Sequence, residues 1–239
     1  MSIPILMYHQ IDAPPARGTP LRGLVVSPAS FARQMYFLKY MGYTGLSMRD
    51  LEPYLKGERR GPVVGITFDD GYQNNVQNAL PVLKKHGFTA TCYAVSSMTG
   101  AVNSWDRDIG VAQKPLMTAN DWHVWLANGM EVGSHTRTHA DLTELSTAAA
   151  LDEIDASRHE LEDELGCEVR HFCYPYGRFG ATHCQMVRQA GYVTATTTRR
   201  GRVQTGDDPF TLRRVLIARA TTLAHFFLKV ATSYEDRRG

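Results

Sequence analysis

Apolar positions along the chain come in two rhythms. Short runs such as Val63–Phe68 and "FTATCYAV" are continuous and rich in β-branched residues, the signature of strands buried on both faces. Between them, apolar residues recur at three- and four-residue spacing and stop at glycine. In "SPASFARQMYFLKYMG", Phe31, Met35 and Leu38 share one helical face, with Ser27 as N-cap, Pro28 at the first helical position and Gly42 at the stop. "SMRDLEPYLKG" repeats the design, with Ser47 and Asp50 at capping-box spacing. Further helices follow over "ALPVLKKHG", "TANDWHVWLANG" (capped by Thr118 and Asp121), "STAAALDEIDASRHELEDELG" (from Ser146), "THCQMVRQAG" and "TTLAHFFLKVAT". Further strands follow over Ile3–Tyr8, "MEVGS", "VRHFCYP", "YVTATTT" and "LRRVLI".

Strands alternating with helices at this spacing predict a largely parallel sheet with helices outside it. Seven or eight such units in one chain fit a closed or nearly closed βα-barrel; a doubly wound open sheet is the rival. Polar residues favour the barrel. His9, Asp69, Asp70, His135 and Tyr176 each follow the C-terminal end of an apolar strand, and residues from so many strands converge more readily around a ring. Arg213 and Arg214 fall inside the "LRRVLI" strand and are less cleanly placed.

The chain has 239 residues, 43% hydrophobic and 21% charged, enough for a sizeable core in one domain spanning 1–239. A formal net charge of +2 with scattered basic residues gives no nucleic-acid footprint. The one dense stretch, Arg199, Arg200 and Arg202, reads as a solvated loop. No apolar run approaches the ~20 residues of a membrane span. The start, "MSIPILMYHQ", lacks a positive n-region and reads as a strand, so a cytoplasmic location is expected. Cys92, Cys167, Cys173 and Cys184 include no C-x-x-C pair and read as free thiols, mostly packed.

Two stretches carry candidate chemistry. "VVGITFDDGY" ends a buried strand in adjacent carboxylates, Asp69 and Asp70, with Gly71 next. "GSHTRTHADL" places His135 and His139 four apart. A helix would put both on one face, but this segment follows a strand and has no glutamate between the histidines, so a loop or single turn must aim them. Two imidazoles and a carboxylate suit a divalent metal with positions left for water and substrate, and Asp70 is the natural third ligand.

"TFDDGY", "SHTRTH" and "FCYPYG", in that order, resemble the signature segments of polysaccharide deacetylases, the NodB-homology domain of carbohydrate esterase family 4. "PILMYHQI", "FARQMYFLKYMGY" and "ALPVLKKHGFTAT" resemble its poly-N-acetylglucosamine deacetylase-like branch. The resemblance runs from about Ile3 to the last helix. It implies a distorted (β/α) barrel of about seven parallel strands. It also implies a hydrolase that removes N-acetyl groups from N-acetylglucosamine-containing glycans with a divalent metal, zinc first, with cobalt, nickel or manganese as alternatives. Asp69 would be the base, Asp70, His135 and His139 the metal ligands. Tyr176 would offer its backbone N–H to the oxyanion and shape the sugar site.

Two departures stand out. Many members carry, at the position of Cys173, an arginine that orients the base; Arg214 is the expected substitute, against the alternative that both arginines make surface salt bridges. No C-terminal Leu-His-Asp segment supplies a general acid, and His9 is the candidate. His225 sits in an apolar run and reads as a core histidine. His86, His123, His159, His171 and His183 read as structural, on helices or in loops. Trp105, near Asp106 and Asp108 in a long break, is a candidate for sugar stacking, whereas Trp122 and Trp125 read as packing. The competing functions are an amidohydrolase of the same fold acting on a formamido sugar or small amide, and a carbohydrate-binding pseudoenzyme.

Overall fold

The computed structural model describes residues 2–238. Eight parallel strands form the main sheet: β1 (Ile5–Tyr8), β2 (Thr44–Leu46), β3 (Val63–Phe68), β4 (Thr91–Ala94), β5 (Glu131–Ser134), β6 (His171–Cys173), β7 (Thr194–Arg200) and β8 (Leu212–Leu216). Seven of them close a ring in the order β1, β8, β7, β6, β5, β4, β3, sealed by the pairing of β1 with β3 from Ile5↔Gly65 to Tyr8↔Phe68. The open-sheet rival is excluded by that closure. β2 lies outside the ring. It pairs with the first half of β3, through Val63–Gly65, and β4 takes the second half at Thr67 and Phe68. One edge of β3 is thus shared by two strands, which makes the barrel irregular.

Helices α1 (Pro28–Tyr40), α2 (Met48–Leu55), α3 (Leu80–His86), α4 (Ala119–Ala127), α5 (Thr147–Leu165), α6 (Ala181–Gln189) and α7 (Leu223–Ala231) connect the strands. The caps form as expected at Ser27, Ser146 and Thr118, the last in a full capping box with Asp121. Ser47 caps α2, but the Asp50 carboxylate turns to the Thr89 hydroxyl at 2.6 Å instead of completing a box. Pro4 splits the expected first strand, leaving Ser2–Ile3 to pair with Val203–Gln204.

Strand alternation decides which side chains enter the barrel. Leu6, Tyr8, Val64, Ile66 and Phe68 pack outward with the apolar faces of the helices, and Tyr8, Phe31 and Phe68 have ring centroids 5.3–5.8 Å apart. Ile5, Val63, Tyr93, Cys173 and Leu212 form a second buried cluster. The same period of two brings Thr67 and Asp69 to the inner side of β3, and Arg214, between Leu212 and Leu216, to the inner side of β8.

Several expectations need correction. His171 lies in β6, not in a helix or loop. It is fully buried at the N-terminal end of the barrel, within 3.5 Å of Glu52 and 3.3 Å of Glu131, and bonded to Thr194 at 2.8 Å. Arg199–Arg202 is not a solvated loop: β7 runs to Arg200, and Arg200 and Arg202 pair with Glu235 and Asp236. Trp122 and Trp125 are packed and the four cysteines are free thiols, as expected. Among the described residues no helix is long and apolar enough to cross a membrane.

Candidate active site

The C-terminal mouth of the ring opens into a cavity of about 640 Å³, within the usual range for ligand sites. His9, Asp69, Asp70, Trp105, His135, His139 and Tyr176 all line it.

Asp69 continues the inward face of β3, and its backbone N–H donates to Tyr8 at 3.0 Å. Asp70 turns the chain with φ 74°, and Gly71 follows with φ 74°. A side chain at Gly71 would come within 3.0 Å of Trp122, so both the left-handed conformation and the close approach call for glycine.

His135 follows β5. Its Nδ1 donates to the Cys173 carbonyl at 2.8 Å, which fixes the tautomer and leaves the Nε2 lone pair facing the cavity. His139 comes round a tight loop rather than a helix. Thr136 (φ 64°) and His139 (φ 63°) both adopt the left-handed conformation, and the Thr136 hydroxyl accepts the His139 N–H at 3.1 Å. Glu153 of α5 anchors this loop by accepting the Arg137 and Thr138 N–H groups, each at 2.9 Å, and the Thr138 hydroxyl at 2.7 Å.

The result is a converging triad. Asp70 Oδ1 lies 3.5 Å from His135 Nε2 and 3.3 Å from His139 Nε2, and one ligand atom from each of the three falls within 4.8 Å of the others. Three buried donors with lone pairs aimed at one point, and His135 tied back through its other nitrogen, fit a divalent cation with open positions. Burial holds His139 below its ordinary value, toward the neutral form that ligates a metal. Burial would also raise Asp70, but the two imidazoles outweigh it and hold the carboxyl well below the usual range.

Arg214 is fully buried and all five of its N–H donors find acceptors. Nη1 and Nη2 reach Asp69 at 2.6 and 2.7 Å, Nε reaches the Thr197 carbonyl at 2.8 Å, and the remaining two bonds go to Thr67 Oγ1 and Cys173 Sγ, each at 3.1 Å. The surface-salt-bridge alternative holds only for Arg213, which pairs with Asp207. Burial pushes Asp69 up; the Arg214 charge and hydrogen bonds overcome it and leave the carboxyl below its ordinary value.

His9 Nε2 stands 3.9 Å from Asp69 Oδ2. Trp105 stacks on the His139 ring at 4.5 Å, and Tyr176, at φ 57°, sets its half-exposed ring edge-on to His139 at 4.7 Å. His225 is not a core residue. Phe226 and Val230 take the buried face of α7, and the histidine, one position earlier, is exposed and lines the cavity. Thr67, Glu153 and the contact between Cys173 and Arg214 do not stand out in the sequence, and the buried Asp106 shows there only as a neighbour of Trp105. The inward face of β3, read with a period of two, flags Thr67; nothing local flags Glu153.

The protein is a parallel βα-barrel that carries, at its mouth, a buried carboxylate-imidazole triad able to hold a metal ion and a second aspartate clamped by an arginine. The polysaccharide deacetylase family model matches residues 56–195, and the chain belongs to that family. It is 25% identical over 207 residues to the poly-β-1,6-N-acetyl-D-glucosamine N-deacetylase of Staphylococcus epidermidis, covering 83% of this chain and 70% of that protein. Among solved structures it is similar to Streptococcus pyogenes deacetylase PplD, determined in complex with acetate, with a TM-score of 0.84, 27% identity, and 96% and 98% of the two chains covered. It is also similar to the polysaccharide deacetylase BC0361 of Bacillus cereus, with a TM-score of 0.80, 30% identity, and 95% and 68% covered.

Proposed function

We propose that the protein is a metal-dependent N-deacetylase of N-acetylglucosamine-type glycans. The observation that carries this reading is the pairing of two aspartates with separate partners: Asp70 with two imidazoles, Asp69 with a guanidinium. Asp70, His135 and His139 would hold a divalent ion, zinc by donor preference. Such an ion, when bound, supplies a water acidic enough to attack at neutral pH and polarises the acetyl carbonyl.

The chain's own groups account for the rest. Asp69, kept ionised and fixed by Arg214, takes the proton of the attacking water. The Tyr176 backbone N–H donates to the carbonyl oxygen as negative charge develops on it. The water oxygen bonds to the acetyl carbon, the C–N bond breaks, and acetate leaves. The amine departs with a proton from His9, whose position beside Asp69 suits the transfer. Trp105 and Tyr176 flank His139 and offer ring faces to the sugar.

The test is acetate release from β-1,4- and β-1,6-linked N-acetylglucosamine oligomers, with and without a chelator. Release abolished by chelation and restored by zinc or cobalt is expected. Formate release from a formamido sugar without acetate release would transfer the assignment to the amidohydrolase reading. Glycan and metal binding with release of neither would make the protein a binding module.

A further inference from the structure

The cavity is electrically two-ended. At one end stand Asp69, Asp70 and Asp106, with Arg214 bonded to Asp69 from behind the cavity wall. The opposite wall is built by the end of β7, α7 and the following turn, and it carries Arg200, Lys229, His225 and Tyr234. Arg200 Nε and Nη2 donate to Glu235 at 2.9 and 3.1 Å, and Lys229 Nζ donates to the same carboxylate at 2.6 Å. Glu235 is fully buried. One carboxylate therefore anchors two cations, leaving a net positive charge on the wall with donors to spare on both.

The rim beside that wall repeats the sign. Leu21 and Leu24 line the cavity from one loop, and Ala218 and Ala220 from another; Arg22 and Arg219 lie between them in sequence. The two loops are joined by the Arg219 N–H, which donates to the Gly23 carbonyl at 2.8 Å. Arg22 lies close enough to Arg219 and Arg17 that, after its own desolvation, their charges weaken its hold on its proton. The only acidic side chain of the Asp12–Leu24 loop, Asp12, is paired with Lys114 at 3.0 Å. Three arginines thus stand together without a carboxylate partner on their own loops.

Like charges gathered at a cavity edge cost stability unless something negative lies against them. A neutral sugar polymer can offer these cations hydroxyl and amide oxygens, but no charge to balance them. We propose that the preferred substrate is an anionic glycan, carrying a carboxylate or phosphate on or next to the sugar whose acetyl group is removed, with that anion held by Arg200 and Lys229 and attracted by the Arg17, Arg22 and Arg219 rim. The inference rests on the deacetylase reading above and narrows its substrate class.

The zinc-loaded protein would be assayed for acetate release from three probes: chitotetraose, its 6-O-phosphate, and a hyaluronan tetrasaccharide carrying uronate carboxylates. At low salt, kcat/KM for at least one anionic probe is expected to exceed that for chitotetraose about tenfold, mainly through KM, and the preference should shrink as salt is raised. Which probe leads separates phosphate from carboxylate. In the double variant Arg22→Glu/Arg219→Glu the preference should fall toward one while kcat/KM on chitotetraose stays within about twofold. Lys229→Met, which leaves Glu235 paired with Arg200, should lower the preference too. Equal or better use of chitotetraose, or an equal loss on all three probes in the double variant, overturns the proposal. Binding of the same probes to metal-loaded Asp69→Asn keeps the two readings apart. An anionic preference there supports the subsite even if no probe is turned over, in which case it is the deacetylase reading that fails; equal affinities sink the subsite whatever the turnover.

Discussion

Arg214, from β8, grips Asp69, at the end of β3, with both terminal nitrogens at 2.6 and 2.7 Å. Neither residue has bulk water to share the charge: their side chains are 0% and 3% exposed. The pair is stable because the guanidinium's other donors are all accepted, and breaking it would leave a buried charge uncompensated. Replacing Arg214 by lysine keeps a charge but loses the two-pronged fit. Turnover should fall about a hundredfold through misplacement of the base. Since Arg214 lowers the Asp69 pKa and only the ionised form accepts a proton, the acid limb of the kcat profile should move to higher pH. An unmoved acid limb would deny Asp69 the role of base.

The two aspartates should separate cleanly by mutation. Asp69→Asn is expected to abolish turnover while retaining one metal per chain. Asp70→Asn and His135→Ala should lose metal, measured by elemental analysis after dialysis. Identical metal content in Asp69→Asn and Asp70→Asn would refute the division of roles.

His9 should matter in proportion to how badly the leaving group needs a proton. His9→Gln is expected to slow N-acetyl hydrolysis by about 10²-fold with metal retained. Hydrolysis of an activated aryl acetate, whose leaving group needs no proton, should change far less. Equal losses on both substrates would assign His9 to positioning Asp69 rather than to proton donation.

Glu153 touches no candidate ligand, yet it holds the loop that carries His139 by three hydrogen bonds. Glu153→Ala should weaken metal affinity about 10- to 100-fold, as outer partners of metal ligands do. Glu153→Gln, which retains one carbonyl acceptor, should fall between. A chelator competition titration reads the difference.

At the other end of the barrel, Glu52 is held below its ordinary value chiefly by His171, with Arg170 and Lys56 adding to it against the opposing effect of burial. A carboxyl depressed in the folded state stabilises the protein above its unfolded pKa, near 4.5, and that contribution is lost as pH falls through the folded value. Glu52→Gln should therefore be less stable than the parent at pH 7, and the gap in denaturant midpoint should narrow progressively below about pH 4.5. A gap that stays constant down to pH 3 would mean that packing, not charge, is what Glu52 contributes.

Much of this was legible in the chain because two local rules act strongly. Buried parallel strands read as apolar runs, and a polar residue just beyond such a run sits at the rim of the sheet. That places His9, Asp69, Asp70, His135 and Tyr176 together before any contact is known. Arg214 required the period of two within "LRRVLI", which separates it from Arg213. The strand Thr44–Leu46 was invisible, being three residues long with a glycine at its centre. His225 was misjudged because an apolar run hides which face of α7 is turned inward. The role of Glu153 is set by contacts across 15 and 16 positions in sequence, and Arg200 meets Glu235 across 35; such partners leave no local trace.

Asp70, Thr136, His139 and Tyr176 all occupy left-handed backbone conformations that L side chains resist. Strain of this kind costs on the order of 1–3 kcal/mol per residue. The mouth of the barrel is therefore poised against the rest of the fold, and the gain from relieving it is not free to collect. Thr136→Gly would relax a β-branched residue at positive φ, but it would remove the hydroxyl that receives the His139 N–H. Any search for thermostable variants that selects on folding alone should accumulate changes at these four positions, and each would trade a sturdier barrel for a blunter site.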